Sequence, residues 1–432
     1  MSKKVLKVEH DVHIHIENVR VSRWFFVLLF AIYSITYMTK GCFSGSLADI
    51  VAEGVFTNSE TGLISAVFYM IYTPLQIVGG IVADKYNPER LIKIGLLGGA
   101  VCNAVIFFNQ NYYVMLITWA INAVIQFGIW PSIFKIMTSQ LYPGDRTEMI
   151  FIMSLTATVG LLGTFVLAAA VPRWEYNFAV SAGLLLLCAV MLHIGDRRVD
   201  KYVVDDANTS RTEKSQSVAP IMINTGESTA SLFRRSGFIL MLVPAFVRSA
   251  VGQSVKSISP TFIMESFEVA PSTSNLLNIL IIIFGVVGTV LVRFVLKNKV
   301  KNEVVGIITF MLPALFIAIA LLFSSTLWVT IVLLCALALT TTAPSLFISY
   351  FNSQFAKYGK NATAAGISNA ASSLGVCTAS YIYPLLADHM GWTAVIVAWA
   401  VFMIVSLVVL AITLPISLKF AKVESANNVH GI

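Results

Sequence analysis

Charge is scarce in this sequence. Only 12% of its 432 residues are Asp, Glu, Lys or Arg, against 57% hydrophobic, whereas water-soluble domains carry about a quarter charged residues. A soluble chain is excluded. Acidic residues are scarcer than basic ones, 22 against 29, and an excess of +7 gathered on one soluble surface would point to nucleic acid. The basic residues are instead scattered through short connections, so no nucleic-acid partner is expected. Cysteine is sparse too: Cys42, Cys102, Cys188, Cys335 and Cys377 all fall inside apolar runs and read as small core side chains, with no disulfide implied. His10, His13 and His15 have no Cys near them, and neither a metal site nor a cofactor is expected. The first 23 residues are polar and charged, which speaks against a secretory signal. No catalytic triad, metal cluster or phosphate-cradling loop occurs in the spans or their connections, and no enzyme is expected.

What the sequence has is long apolar runs. A membrane-spanning helix needs about 20 predominantly apolar residues, and such runs predict helices over 24–47, 60–83, 91–108, 113–140, 149–172 and 177–195, then 238–264, 272–297, 303–323, 326–350, 362–385 and 392–415. The expected fold class is an all-α membrane protein of twelve transmembrane helices in two six-helix halves. Residues 1–23 form an N-terminal tail, 24–195 the first half, 196–236 a polar linker loop, 237–415 the second half and 416–432 a C-terminal tail. The linker reads as such from its Ser, Thr, Asp and Lys content.

An even number of spans puts both termini on one face, and the Lys and Arg residues follow that division. Twenty-four of the 29 fall on the termini's side, while the opposite connections hold only Arg173. Cytoplasmic loops carry the excess of Lys and Arg, so both termini are expected in the cytoplasm, with the chain a multi-pass protein of a bacterial-type inner membrane and a monomer in the lipid bilayer.

The halves repeat one another. Pro131-Ser132-Ile133-Phe134 with Ser139-Gln140 recurs as Pro344-Ser345-Leu346-Phe347 with Ser353-Gln354, an offset of 213 to 214, and Gly160 and Gly375 are 215 apart. A repeat containing an even number of spans makes the halves parallel copies, with a substrate site between them near mid-membrane.

Four basic residues remain inside spans: Lys40, Lys135, Arg248 and Lys256. An ionisable group at that depth costs several kcal/mol and normally faces a cavity or a partner. Every carboxylate, Asp49 included, is expected in a connection or at a helix end, so these cations have no expected interior counter-ion. Lys40 lies about 24 Å along its helix at 1.5 Å per residue, slightly past the midplane. Arg248, Gly252 and Lys256 recur every four residues and share a face. The repeat offset carries Lys40 to Gln253, so the two cationic regions are expected to face one another. Tyr33 and Tyr37 share a face with Lys40, and Tyr72 pairs with Gln76 on the next helix. Two cationic patches without carboxylates suit an anionic solute. Lys135, close to a helix end, is expected to bond backbone carbonyls or reach the membrane interface.

The connection Gly79-Gly80-Ile81-Val82-Ala83-Asp84-Lys85-Tyr86-Asn87-Pro88-Glu89-Arg90 resembles the gating loop of the major facilitator superfamily. Its Asp-Lys-x-Asn-Pro form is similar to that of the organophosphate:phosphate antiporter family, as are Gly128-Ile129-Trp130-Pro131, Ser259-Pro260-Thr261, Ala364-Ala365-Gly366 and Asp388-His389-Met390-Gly391-Trp392. The resemblance implies that Lys40 stands where a phosphate-binding arginine occurs, with Tyr33, Tyr37, Tyr72 and Trp130 around the substrate. It implies that Asp84 and Lys85 form the gate, with Arg90 and Arg146 as partners. Three positions depart from the family pattern: Gly252, Gln76 and Ala157 replace a second arginine, a lysine and a histidine. Lysine is a point charge where arginine binds phosphate bidentately, so a carboxylate competes with a phosphate ester as the substrate. The expected function is secondary transport of a small organic anion by alternating access, as an exchanger, with Lys40, Tyr33, Tyr37, Tyr72, Gln76, Trp130, Arg248, Gln253 and Lys256 binding it. A proton-coupled symporter is the alternative, and a multidrug exporter a more distant one.

Overall fold

The computed structural model describes residues 14–16, 18–153, 155–199, 202–205, 228–296, 300, 302–358 and 360–429. In chain order it forms β1 (Ile14–Ile16), α1 (Val19–Lys40), α2 (Cys42–Ala52), α3 (Asn58–Lys85), α4 (Pro88–Phe108), α5 (Tyr112–Gln126), α6 (Ile129–Ser139), α7 (Arg146–Met153), α8 (Thr156–Ala170), α9 (Glu175–Val199), β2 (Val203–Asp205) and α10 (Thr229–Arg235). There follow α11 (Phe238–Ser257), α12 (Ser259–Phe267), α13 (Pro271–Leu291), α14 (Glu303–Leu321), α15 (Leu327–Thr342), α16 (Pro344–Ser353), α17 (Asn361–Met390) and α18 (Trp392–Val429). Among the described residues ten segments are long and apolar enough to cross a membrane; α3 and the 15-residue Thr156–Ala170 are outside that group. Large apolar side chains such as Val27, Val101, Phe108, Phe294, Phe316 and Val332 are exposed on these helices, as a lipid-facing surface requires.

Several helices are longer or more broken than the apolar runs imply. The first expected span divides at Gly41 and continues to Ala52, which places Asp49 within a helix rather than in a connection. The fold is not purely helical, because β1 pairs antiparallel with β2 and so brings the N-terminal tail to the segment after α9. The linker region, expected to be loop, ends in α10, whose Leu232 and Phe233 are buried. The last helix runs through Pro415 to Val429, beyond the expected end at 415.

Local chemistry explains where helices begin. Thr57 and Glu60 make a reciprocal capping box at α3. Asn87 caps α4, which has Pro88 in its first turn.

Side-chain bonds sort the connections into two ends. Ile16 N donates to Gln140 O (2.8 Å), Arg23 bonds Asp145 (2.7 Å), Gln140 Nε2 donates to Glu89 (2.7 Å) and Lys93 pairs with Asp196 (2.8 Å), so these connections share one end. Arg23 holds the Asp145 carboxyl below the usual carboxylate range through that hydrogen bond and its charge. At the other end the start of α3 meets α12 and the junction of α17 and α18. Backbone N–H groups of Asn58 and Ser59 donate to Asp388 at 3.2 and 2.6 Å, and Glu265 accepts from Asn58 Nδ2 at 3.0 Å and Trp392 Nε1 at 2.7 Å. Gly62 abuts the Ser380 carbonyl and Pro384, so α3 and α17 close tightly there.

The repeat is visible in packing. A Cβ on Gly160 of α8 would lie 2.5 Å from the Ser34 carbonyl and 2.9 Å from Met38 N of α1; one on Gly375 of α17 would lie 2.3 Å from the Phe246 carbonyl and 2.9 Å from Ala250 N of α11. Only glycine permits such close backbone approach. Ser34 and Phe246, like Met38 and Ala250, are 212 positions apart. This register matches Lys40 with Gly252, one residue from the expected Gln253, because the offset drifts between helices of unequal length.

Candidate substrate-binding site

Lys40 ends α1, where the chain breaks at Gly41 before α2. Its Nζ donates to Tyr72 Oη at 2.9 Å and lies 4.3 Å from the centroid of the Tyr72 ring, 5.5 Å from that of Tyr37 and 5.9 Å from that of Tyr33. Aromatic faces attract cations through their quadrupole, by about 0.5–2 kcal/mol depending on desolvation. Tyr33 meets Tyr37 edge-on at 5.0 Å and stacks on Trp130 at 4.9 Å. The structure therefore brings Lys40, Tyr33, Tyr37, Tyr72 and Trp130 into one cluster built from α1, α3 and α6. Among the described residues Lys40 makes no ion pair.

Two positions of this wall were not singled out in the sequence. Phe68 stacks on Tyr72 with ring centroids 5.4 Å apart, and its place one turn before Tyr72 was the available signal. Thr164 of α8 donates to Met38 O at 2.8 Å and packs against Gly41 and Gly45, which props the break beneath Lys40. The side chain of Gln76 lies outside the described residues.

Arg248, Gln253 and Lys256 lie on α11, all half-buried, and no hydrogen bond or ring contact among the described residues joins them to the Lys40 cluster. Arg248 Nη2 donates to Ser249 Oγ at 2.8 Å, while its buried Nε has no partner. A cavity of about 450 Å³ opens in front of Arg248, lined by polar residues of α16 and α17 that include Ser345, Ser349, Asn352, Asn369 and Ser372. The sequence reading missed them, although polar residues one turn apart on otherwise apolar helices were their signal. Asn278 Nδ2 donates to the Lys256 carbonyl at 2.8 Å, tying α13 to the end of α11.

Lys135 donates to the carbonyl of Ala83 at 2.7 Å, in the last turn of α3, where cations complement the helix dipole. It sits near the connection between α3 and α4. The side chains of Asp84, Lys85 and Arg146 lie outside the described residues; Arg90 is exposed and its backbone N–H donates to Asn87 Oδ1 at 2.8 Å. Asp49 is half-buried in α2, and its Oδ2 is buried with no hydrogen-bond partner.

The family model described as Major Facilitator Superfamily matches residues 29–375. The membrane sensor protein UhpC of Salmonella typhimurium is 28% identical over 157 residues, 36% of this chain and 36% of that protein; the chain thus spans about a third of the length of this relative. A probable hexose phosphate transport protein of Chlamydia pneumoniae is 22% identical over 397 residues, 86% of this chain and 87% of that protein. A solved bacterial homologue of the human lysosomal transporter Spinster, inward-facing and unoccupied, superposes with a TM-score of 0.73 at 15% identity, covering 93% of this chain and 97% of that one. These relatives are membrane proteins rather than enzymes.

Proposed function

The chain belongs to the major facilitator superfamily, and from that premise we propose that it is a secondary carrier of a small organic anion, working by alternating access and as an exchanger. Lys40 carries this reading: a cation at the break between two apolar helices, α1 and α2, wrapped by three tyrosines, with no ion pair among the described residues. A charge at such depth is costly and marks a substrate path. Arg248 and Lys256 of α11 supply the second cationic wall, and Tyr33, Tyr37, Tyr72, Trp130, Gln76 and Gln253 orient the solute. The hexose phosphate transport relative favours a phosphorylated solute over a simple carboxylate. An arriving anion offsets the charge of these cations, which lowers the cost of closing the halves over it.

The same reading takes α3 and the short α8 as the spans that complete twelve, in two parallel halves. The pairing of β1 with β2 supports an even number of crossings between tail and linker. The end bearing Arg23, Lys93 and the Asp84 connection is then cytoplasmic, in an inner membrane, and the end joined through Asp388 and Glu265 is external and shut. Opening it requires Asn58 and Ser59 to leave Asp388, while Asp84, Lys85, Arg90 and Arg146 gate the opposite mouth.

The test is exchange in proteoliposomes loaded with inorganic phosphate. Wild type should take up a labelled hexose 6-phosphate, and Lys40→Ala should not; equal uptake by both overturns the site. Transport rather than binding is the readout because one relative is a sensor. A second reading is proton-coupled symport, favoured by Asp49 with its unpartnered buried oxygen. Under it, an imposed proton gradient drives accumulation in wild type and not in Asp49→Asn.

A further inference from the structure

We propose that the seam between α2 and α13 is a binding site for an alkali cation such as Na+, held by Asp49, Asn275 and Asn278. The inference goes beyond the reading of this protein as an anion carrier and does not depend on it.

The site begins with a carboxylate in an unusual place. α2 is the second piece of a helix broken at Gly41, and Asp49 stands in its last turn, about 13 Å beyond Lys40 at 1.5 Å per residue. The C-terminal turn of a helix carries the negative end of the dipole, so backbone and side chain both favour a cation there. Glu53, one turn further on, is an electrostatic neighbour of Asp49, and it accepts from Trp174 Nε1 at 3.2 Å. Asp49 has no such donor: its Oδ2 is buried and unpartnered, and no ion pair reaches it among the described residues.

Two amides on α13 are in the same condition. Asn275 and Asn278 are fully buried and, three positions apart, share a face of the helix. Asn275 Nδ2 donates to Gly45 O of α2 at 3.2 Å, and Asn278 Nδ2 donates to Lys256 O of α11 at 2.8 Å. A carbonyl accepts only from a donor, so these bonds fix which way each amide is turned. The nitrogens are spent on backbone, and both Oδ1 atoms are left buried without a partner. Gly45 lies one turn before Asp49 on the same face of α2, which sets Asn275 beside the carboxylate, and the two interact electrostatically.

Three buried oxygens without donors are a costly arrangement for an empty seam. A proton shared between Asp49 and Asn275 satisfies those two and leaves Asn278 Oδ1 as it was. An alkali cation takes several oxygens at once. The ligand set fits its single charge, since one carboxylate among neutral amide oxygens is too little charge for Ca2+ and offers none of the imidazole or thiolate that transition metals favour. Broken helices whose C-terminal ends meet such a cation are a known way of building these sites in membranes. With ligands on both α2 and α13, the bound ion ties the two helices together and has to leave before they part.

The test is thermal unfolding of the purified full-length carrier, without organic solute, in NaCl, KCl or choline chloride at equal ionic strength, together with equilibrium dialysis of radioactive Na+. A ligand of the folded state raises its unfolding temperature, so Na+ or K+ should stabilise wild type saturably where choline does not. Asp49→Asn should remove the response while unfolding in choline no lower than wild type, because it discards an unpartnered buried charge. Asn278→Ala, which keeps the carboxylate, should weaken Na+ binding about tenfold, and Lys40→Ala should leave it unchanged. Equal stabilisation by choline, a response that persists in Asp49→Asn, or one that disappears in Lys40→Ala overturns the seam site. So does stabilisation by mild acid alone, lost in Asp49→Asn and indifferent to Na+ and K+, which makes Asp49 a proton site. None of these outcomes touches the anion-carrier reading, whose own test is exchange by Lys40→Ala.

Discussion

The two walls of the proposed site stand on one packing plan with different side chains. In the N-terminal half α8 is pressed onto α1 at Gly160, and in the C-terminal half α17 is pressed onto α11 at Gly375, through equivalent backbone contacts. On the first plan stands Lys40 among tyrosines. On the second the matching position is Gly252, and the cations stand one turn to either side, at Arg248 and Lys256, beside serine and asparagine. The contacts that hold the backbones together, where added atoms clash, recur at matching positions, while the lining differs.

This comparison can be broken at several points. The largest expected effect is that of Lys40→Ala, which should lower exchange on the order of 100-fold, since truncating a buried charge that pairs with a ligand costs about 2–5 kcal/mol. Arg248→Ala should cost about tenfold, because Lys256 shares its wall; if it costs as much as Lys40→Ala, the walls act as one charged clamp. Initial rates in proteoliposomes decide between these outcomes. Next come Gly160→Ala and Gly375→Ala, each expected to destabilise by about 1–3 kcal/mol through overpacking, with Gly366→Ala close to neutral as the control. Equal losses in thermal unfolding confirm that the glycines are equivalent, and unequal losses show that the plan is not shared.

A smaller effect is expected from Tyr72→Phe, which removes the oxygen that accepts from Lys40 but leaves the ring, costing about 0.5–1.5 kcal/mol in substrate affinity. A loss as large as that of Lys40→Ala would make Tyr72 Oη a direct substrate contact. The smallest concerns the tie between Arg23 and Asp145. Its carboxyl lies below the usual range, so the stabilisation is fully present above the unfolded pKa of about 3.9 and is lost as pH falls through the lower folded value. Thermal unfolding of wild type and Asp145→Asn should differ slightly at pH 7 and converge in acid; a difference that widens in acid reverses the sign.

Much of the cluster around Lys40 was legible before the fold. Lys40 was conspicuous because an ionisable residue inside an apolar run is costly, and Tyr37 and Tyr33 because they lie one and two turns away on the same face. Trp130 was found through a motif, and its stacking on Tyr33 depends on the break between α5 and α6. Asp49 was misplaced because apolar content falls before the helix ends. Phe68, Thr164 and the Arg248 cavity went unseen for another reason: serine, threonine and phenylalanine are ordinary inside membrane helices, and nothing local marks the ones that meet.

Composition and order along the chain determined that this is a membrane protein, that its basic residues crowd one set of connections, and that it repeats. These properties depend on each residue's transfer into hydrocarbon or on spacing, and both can be read one position at a time. Tertiary structure decided which of the buried cations stands among rings and which among hydroxyls. It also decided that Lys135 bonds the end of α3, and that Asp388 and Glu265 tie the start of α3 to α12, α17 and α18. Such facts rest on contacts between residues hundreds of positions apart, 330 for Asn58 and Asp388, and only the packing of helices brings those within bonding distance.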